Sequence, residues 1–313
     1  MVFADSVGAC VPPRARAQVH SVFLRACNIE TDSGELVTLL ASNTGNLPHG
    51  LRCASRNDLL HAQLRQGQAV VLEGMALRIP AADLVVDFSR ATVWNGTVDA
   101  ASPDPQCAEP HRALRELCET LRSRAPDQGV APALFSSGNS HSPYGRALVA
   151  RMTQTLPKLA RATETRDAGE VVSALSALVG LGTGLTPAGD DFIVGYLAAL
   201  WSRSYRERGL AALLRALAAP VGQLSCRTNA ISRQMLLDAL GGHFAERLTE
   251  VVRCLWGGGE VTRAAERLLE VGHSSGADGL CGLLFGFAPA LFARSIANVA
   301  GDPPAPHAAA VAC

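Results

Sequence analysis

The 313-residue sequence contains a single lysine, Lys158, among its 28 basic residues, and its formal net charge at pH 7 is +0. A chain without excess positive charge lacks the electrostatic footprint of proteins that bind nucleic acids or anionic membranes, so we expect neither partner. Any anion site must therefore use arginine, backbone N–H groups or helix N-termini.

Several other patterns are missing. The nine cysteines have no C-x-x-C spacing and are odd in number, which argues against a disulfide framework and against a zinc site. No G-x-S-x-G motif offers a hydrolase nucleophile. The N-terminus lacks a basic region followed by an apolar run, and no uninterrupted apolar stretch reaches membrane-spanning length. We therefore expect a cytoplasmic protein with reduced thiols, no metal site and no membrane span.

Short apolar runs separated by turn residues occupy the first hundred positions. Four of these runs predict β-strands: His20–Ile29, Glu35–Ala41, Ala69–Ile79 and Leu84–Trp94. Asp32-Ser-Gly34 predicts a hairpin turn between the first two, whereas residues 1–17 predict a leading segment outside the sheet. We expect a small antiparallel β domain, a barrel or a sandwich, over residues 1–100.

After a linker rich in proline and polar residues, the spacing of apolar residues becomes helical. Leu114, Leu117 and Leu121 mark the first helix, and similar patterns continue toward the C-terminus. We expect a mostly helical domain over residues 108–297 and a disordered tail over residues 298–313. The fold class predicted for the whole chain is α+β.

The longest motif is Gly180-Leu-Gly-Thr-Gly-Leu-Thr-Pro-Ala-Gly-Asp-Asp, a glycine-rich loop that leads into a buried helix. Thr186 is predicted to cap the helix, with Pro187 at its first position. Free backbone N–H groups and two carboxylates then meet at one helix N-terminus, which suits an anion, a metal–phosphate pair or a polar small ligand. The candidate residues are Gly182, Thr183, Gly184, Thr186, Asp190 and Asp191. The same pattern also fits a plain N-terminal stop signal on a core helix.

A second motif, Ser225–Arg233, places Thr228 and Ser232 four residues apart on one helix face, beside Arg227. Two hydroxyl groups and a guanidinium pointing the same way would bind a carboxylate or a phosphate. An ordinary helix cap with solvated arginines is the alternative.

A third motif, Gly272-His-Ser-Ser-Gly-Ala-Asp278, again leads from a glycine- and serine-rich loop into an apolar helix. Ser275 and Asp278 have the spacing of a capping box, and Ser274 adds a hydroxyl group. His273 is a candidate acid or base, with a structural role as the alternative. Glycines from Gly276 to Gly286 would let another backbone approach closely.

These three motifs together resemble the AllH family, a subunit of the bacterial oxamate carbamoyltransferase of anaerobic allantoin breakdown. The resemblance rests on residues 180–192, 227–232 and 272–278. It departs from the family pattern at Ala188, where serine is expected more often. It implies transfer of a carbamoyl group between carbamoyl phosphate and a small amide such as oxamate, together with two other types of subunit.

Carbamoyl transfer requires phosphate binding, stabilisation of the developing oxyanion and a dry pocket. In this hypothesis Asp190, Asp191 and His273 are the catalytic candidates, and the remaining candidate residues bind substrate. No cofactor is expected, although Mg²⁺ bound with a phosphate stays open. The alternative is a non-catalytic scaffold or ligand-sensing subunit, in which the motifs serve helix packing and subunit contact.

Overall fold

A computed structural model of the protein describes residues 1–54, 64–98, 111–124, 129–135, 142–257 and 259–290, and residue 292. The predicted linker between the two domains falls mostly outside these ranges, and the predicted tail over residues 298–313 falls wholly outside them. The chain divides into two compact units. The first comprises Met1–Thr97 with His243–Glu246, and the second comprises the described residues from Val98 to Gly242 and from Arg247 onward.

The first unit is a β-barrel. Its strands are β1 (Val2–Gly8), β2 (Ala15–Val22), β3 (Ala26–Thr31), β4 (Leu36–Leu40), β5 (Gly50–Cys53), β6 (Ala69–Glu73), β7 (Ala76–Ile79), β8 (Leu84–Asp87) and β9 (Thr92–Trp94). Eight strands follow the order β5-β4-β3-β2-β6-β7-β8-β1, and pairing of β1 with β5 closes the ring. The ninth strand, β9, pairs with β1. The predicted β domain is confirmed, and of the two expected forms it is the barrel.

The barrel is mixed, because three of its pairings are parallel: β1 with β8, β1 with β9, and β4 with β5. The remaining pairings are antiparallel, as in the predicted hairpin between β3 and β4. Gly34 closes that hairpin with φ of 82°, and its N–H donates to the Thr31 carbonyl over 2.8 Å. The Asp32-Ser-Gly34 turn is therefore confirmed.

Four expectations for the barrel are wrong. His20–Ile29 is not one strand, since it spans the end of β2 and the start of β3, and Leu84–Trp94 spans β8 and β9. Residues 1–17 are not a leading segment, since they contain β1 and the start of β2, and β1 closes the barrel. Ala69–Ile79 is not one strand, because Gly74 and Met75, both with φ of 61°, form a two-residue turn between β6 and β7. A turn with two positive φ values favours glycine or asparagine, so the methionine concealed it in the sequence.

The barrel interior is apolar and continuous. Side chains from most strands and from the loops between them contribute to one buried cluster: Val19, Cys27, Ile29, Val37, Leu39, Leu51, Val70, Leu72, Leu77, Ile79, Val86 and Phe88. Strand β6 alternates between buried and exposed positions, with Val70 and Leu72 buried, whereas β4 is buried at every position. This alternation is what a half-buried strand requires, and it explains why the sequence predicted a β domain.

The second unit is mostly helical, as predicted. Its described helices are α1 (His111–Arg124), α2 (Ala131–Leu134), α3 (Pro143–Thr165), α4 (Ala168–Ser176), α5 (Ala188–Ser204), α6 (Arg208–Leu224), α7 (Ala230–Leu240), α8 (Glu246–Gly257), α9 (Val261–Leu269) and α10 (Ser275–Phe287). The first residue of α8, Glu246, belongs to the barrel unit.

Helix α5 is the core of the second unit, and it packs most extensively against α10. The two helices run parallel at very close range. A Cβ atom on Gly195 would lie 1.9 Å from the Gly279 carbonyl oxygen, and one on Gly282 would lie 1.9 Å from the Phe192 carbonyl oxygen. Only glycine permits this contact, so the glycine face of α10 is used for packing within the chain.

Within the described residues, the helical stretch Arg208–Arg227 is long and apolar enough to cross a membrane by length and composition. Core helices of soluble proteins can meet the same criterion. This stretch contains α6, which packs against α4, α5 and α7 and buries a stripe of aliphatic side chains: Leu210, Leu213, Leu214, Leu217 and Val221. The expected absence of a membrane span stays a prediction.

Candidate functional site

The N-termini of α5 and α10 lie side by side because the two helices run parallel. Each helix carries acidic residues in its first turn: Asp190 and Asp191 on α5, and Asp278 on α10. The three residues are 2%, 4% and 1% exposed. Buried carboxyl groups are costly unless they are protonated or paired, so their partners decide what each one does.

Asp190 is fully engaged in holding the glycine-rich loop. Its Oδ1 accepts from the Gly180 backbone N–H over 2.8 Å, and its Oδ2 accepts from the Thr228 hydroxyl over 2.5 Å. Burial raises the pKa of Asp190, and these hydrogen bonds oppose the rise, as does the Ser232 hydroxyl. Ser232 faces the carboxyl group with a geometry short of a full hydrogen bond. The first and second motifs are therefore joined through Asp190.

The glycine-rich loop covers the start of α5. Gly180, Gly182 and Gly184 have φ values of 72°, 132° and 96°, and the Gly189 N–H donates to the Leu181 carbonyl over 2.7 Å. A Cβ atom on Gly182 would lie 2.4 Å from the Ala188 nitrogen. The loop thus occupies part of the helix N-terminus that was expected to face an anion.

The same loop also carries backbone N–H groups that are free to donate hydrogen bonds. Among the hydrogen bonds of the described residues, none uses the backbone N–H of Gly182, Thr183 or Gly184, and Thr183 and Gly184 are exposed. Successive free N–H groups in a turn form an anion-binding concavity. The donors available to an anion are therefore those of the loop.

Thr186 does not cap α5, which corrects the prediction. The helix begins at Ala188 with Pro187 at the N-cap, since the Asp190 and Asp191 N–H groups both donate to the Pro187 carbonyl. The Thr186 hydroxyl instead pairs with the Ser275 hydroxyl at 2.6 Å. This bond joins the first motif to the third.

Asp191 lies on the side of α5 that faces α10. Burial raises its pKa well above the ordinary value, the charge of Asp278 raises it further, and the Ser275 and Thr186 hydroxyls oppose the rise. Its Oδ2 atom is buried and has no hydrogen-bond partner. Asp191 is thus a buried carboxyl group with an unused oxygen.

Asp278 contacts a segment that no pattern in the sequence connects with it. Its Oδ1 accepts from the Val130 backbone N–H over 2.7 Å, and a Cβ atom on Gly129 would lie 2.4 Å from that oxygen. The expected capping box with Ser275 is wrong, because α10 starts at Ser275 and no side chain caps it. Burial raises the pKa of Asp278 to about 7, opposed by the Val130 N–H and the Ser274 hydroxyl. Its Oδ2 has no partner.

In the second motif, Asn229 rather than Thr228 begins helix α7. Its Oδ1 accepts from the Ile231 and Ser232 N–H groups over 3.0 and 3.1 Å. Helix capping by Asn229 leaves the Thr228 hydroxyl available for Asp190. Thr228 precedes the helix and does not share a helix face with Ser232, which corrects the prediction. The asparagine, a strong N-cap former, was the signal to follow.

Two candidate residues make no hydrogen bond or ion pair with these carboxyl groups within the described parts of the chain. The exposed Arg227 side chain donates to the Ser176 carbonyl over 3.1 Å. His273 is exposed, and none of the hydrogen bonds recorded among the described residues connects it to an aspartate. The structure therefore brings together Thr186, Asp190, Asp191, Thr228, Ser232, Ser274, Ser275 and Asp278.

The arrangement combines free loop N–H groups with buried carboxyl groups whose pKa values are raised. Such perturbed groups are the usual candidates for acid–base chemistry and ligand binding. Asp190 and Asp191 point to different partners, as their adjacency on a helix predicted. In the described chain, no group of three or more histidine, cysteine or acidic residues is arranged to hold a metal ion.

Comparison with known families agrees with these motifs. The profile of the family described as "Oxamate carbamoyltransferase subunit AllH" matches residues 178–287, which include all three motifs. The profile described as "AllH family N-terminal domain" matches residues 6–93, most of the barrel. No solved structure matches the chain.

Proposed function

We propose that this chain, which belongs to the AllH family, is a subunit of a carbamoyltransferase that acts on carbamoyl phosphate and a small amide such as oxamate. The family description points to an oxamate carbamoyltransferase subunit. The anionic ligand would bind at the loop that precedes α5, and the other subunits of the enzyme would be its protein partners.

One observation carries this proposal. Two glycine-rich loops converge where α5 and α10 begin, and they bring free N–H groups and buried carboxyl groups to the same place. Carbamoyl transfer needs donors for the phosphate and for the developing oxyanion, together with a group that accepts the proton of the attacking amide. The Gly182–Gly184 loop supplies the donors, and the carboxyl groups of Asp191 and Asp278 would orient the attacking amide or hold a bound cation.

Asp190 has a different role in this proposal. Both of its oxygens already accept hydrogen bonds, so it positions the Gly180 end of the loop and does not touch substrate. His273 would have to approach the ligand from the solvent side, since it is exposed. The residues proposed to face substrate are therefore those of the loop, the Thr186–Ser275 pair and the two other aspartates.

Calorimetric titration with carbamoyl phosphate, with and without Mg²⁺, tests this proposal. We expect binding to the full chain and weaker binding to Asp190→Ala, because the variant releases the loop at Gly180 and at Thr228. Asp83→Asn is the matched control, since Asp83 is an exposed barrel residue. Unchanged binding in Asp190→Ala would contradict the loop as the site.

The scaffold or ligand-sensing alternative makes the opposite prediction for the isolated chain, namely no affinity for carbamoyl phosphate. The glycine face of α10 no longer supports this alternative. Gly279, Gly282 and Gly286 are buried against α5 of the same chain, so they do not form a surface for another subunit.

A further inference from the structure

Two of the three buried aspartates have an oxygen that nothing in the described chain satisfies. These atoms are Oδ2 of Asp191 and Oδ2 of Asp278. Asp190 beside them differs, because a backbone N–H and a hydroxyl group occupy its two oxygens. A buried polar atom without a partner is rare in folded proteins and indicates an unsupplied group such as an ion.

The two unsatisfied carboxyl groups belong to one place in the fold. They come from the first turns of two parallel helices, and a Cβ atom on Gly279 would lie only 3.8 Å from the Asp191 carbonyl oxygen. The charges of the two residues interact directly. The Thr186 and Ser275 hydroxyls lie beside Asp191 and hold each other at 2.6 Å. The two unsatisfied carboxyl groups therefore lie near each other where α5 and α10 begin.

The local charge favours a cation at that point. Each helix N-terminus contributes roughly half a positive charge, whereas the two carboxyl groups would contribute two negative charges once both are ionised. The balance is about one negative charge, which is expensive in a buried environment. A divalent cation would reverse it to about one positive charge, and the site would then attract an anion.

We propose that Asp191 and Asp278 are the two protein ligands of a divalent cation of the Mg²⁺ type, which also binds the phosphate oxygens of the substrate. Mg²⁺ typically takes one or two carboxylates and completes its shell with water and substrate phosphate. The free N–H groups of the Gly182–Gly184 loop would hold the remaining phosphate oxygens. The inference deepens the proposed function, and rests on it for the phosphate partner of the cation.

Binding of Mn²⁺, a paramagnetic substitute for Mg²⁺, to the purified full chain tests the inference by electron paramagnetic resonance. We expect one Mn²⁺ per chain, bound more tightly when inorganic phosphate is present. Asp191→Asn and Asp278→Asn should each weaken Mn²⁺ binding by about tenfold or more, as loss of a metal-site residue does. Asp83→Asn removes one carboxylate from the barrel surface and should bind Mn²⁺ like the wild type.

Circular dichroism establishes that each variant is folded. If Asp278→Asn is unstable because its contact with Val130 is weakened, Asp191→Asn carries the test alone. Absence of Mn²⁺ binding to the wild type at millimolar concentration overturns the inference, as does equal binding in every variant. Neither result bears on carbamoyl phosphate binding measured without metal, so failure of the cation site is distinct from failure of the proposed function.

Discussion

Replacing Asp278 with asparagine should remove the part of the pH dependence of folding stability that comes from this carboxyl group in the metal-free protein. Burial raises the pKa of Asp278 to about 7 from the ordinary value of 3.8. Between these values the folded state keeps a proton that the unfolded state has released. At about 1.4 kcal/mol per pKa unit, the difference is worth about 4 kcal/mol.

The direction of the effect follows from the raised pKa. The stability that the protonated carboxyl group contributes is fully present below about pH 4 and is lost as the pH rises through about 7. Asparagine does not ionise, and its side-chain oxygen can still accept from the Val130 N–H. The free energy of unfolding of Asp278→Asn, relative to wild type, should therefore increase by up to about 4 kcal/mol across this range.

Urea unfolding at several pH values between about 4 and about 8, with a chelator present, measures this difference. Asp190 and Asp191 face the same region, and burial still raises both of their pKa values in the variant, whereas the pKa of Asp191 loses the part of its rise that comes from the charge of Asp278. Asp83→Asn should follow the wild-type curve. A constant difference between Asp278→Asn and wild type at every pH would refute the reasoning, because it would show that the carboxyl group does not hold its proton.

Three further predictions concern stability and can be measured by the same unfolding experiment at one pH. Gly195→Ala should destabilise the protein by at least about 3 kcal/mol, because its Cβ atom would lie 1.9 Å from a carbonyl oxygen of α10. Gly257→Ala is the control, and it should change the stability little because a Cβ atom there would meet open space. Thr228→Val should cost about 1.5 to 3 kcal/mol, since it removes a hydrogen bond to a buried carboxyl group; Thr228→Ser should retain most of it. Asn229→Ala should cost about 1 kcal/mol through loss of the α7 cap, and an unchanged midpoint would contradict that role.

Local patterns in the sequence were enough for the fold class. Short apolar runs separated by turn residues, and the apolar run of α5, indicated a β domain followed by core helices, and both are present. The barrel strand β1 was missed, because its pairing with β5 and β9 depends on residues far along the chain. Strand pairing across such distances leaves little trace in a local pattern.

The candidate site shows the same limit. Glycine, proline and aspartate near the start of α5 indicated where a site could form, but the partner of each side chain was set by the tertiary structure. Thr186 was expected to bond its own helix and instead bonds Ser275, 89 residues away. Asp278 bonds Val130, 148 residues away. A capping motif and a tertiary hydrogen bond use the same residue types, so spacing alone does not separate them.

The segment His243–Glu246 has a consequence for the time at which the barrel unit completes its folding during synthesis. It belongs to the barrel unit, where Thr97 pairs with His243, the Phe244 N–H donates to the Gly96 carbonyl over 2.8 Å, and Glu246 accepts from the Asn46 N–H over 2.7 Å. Domains usually fold in order as the ribosome releases them. Here the N-terminal unit cannot reach its final set of contacts until most of the chain has been translated, so its last contacts form late.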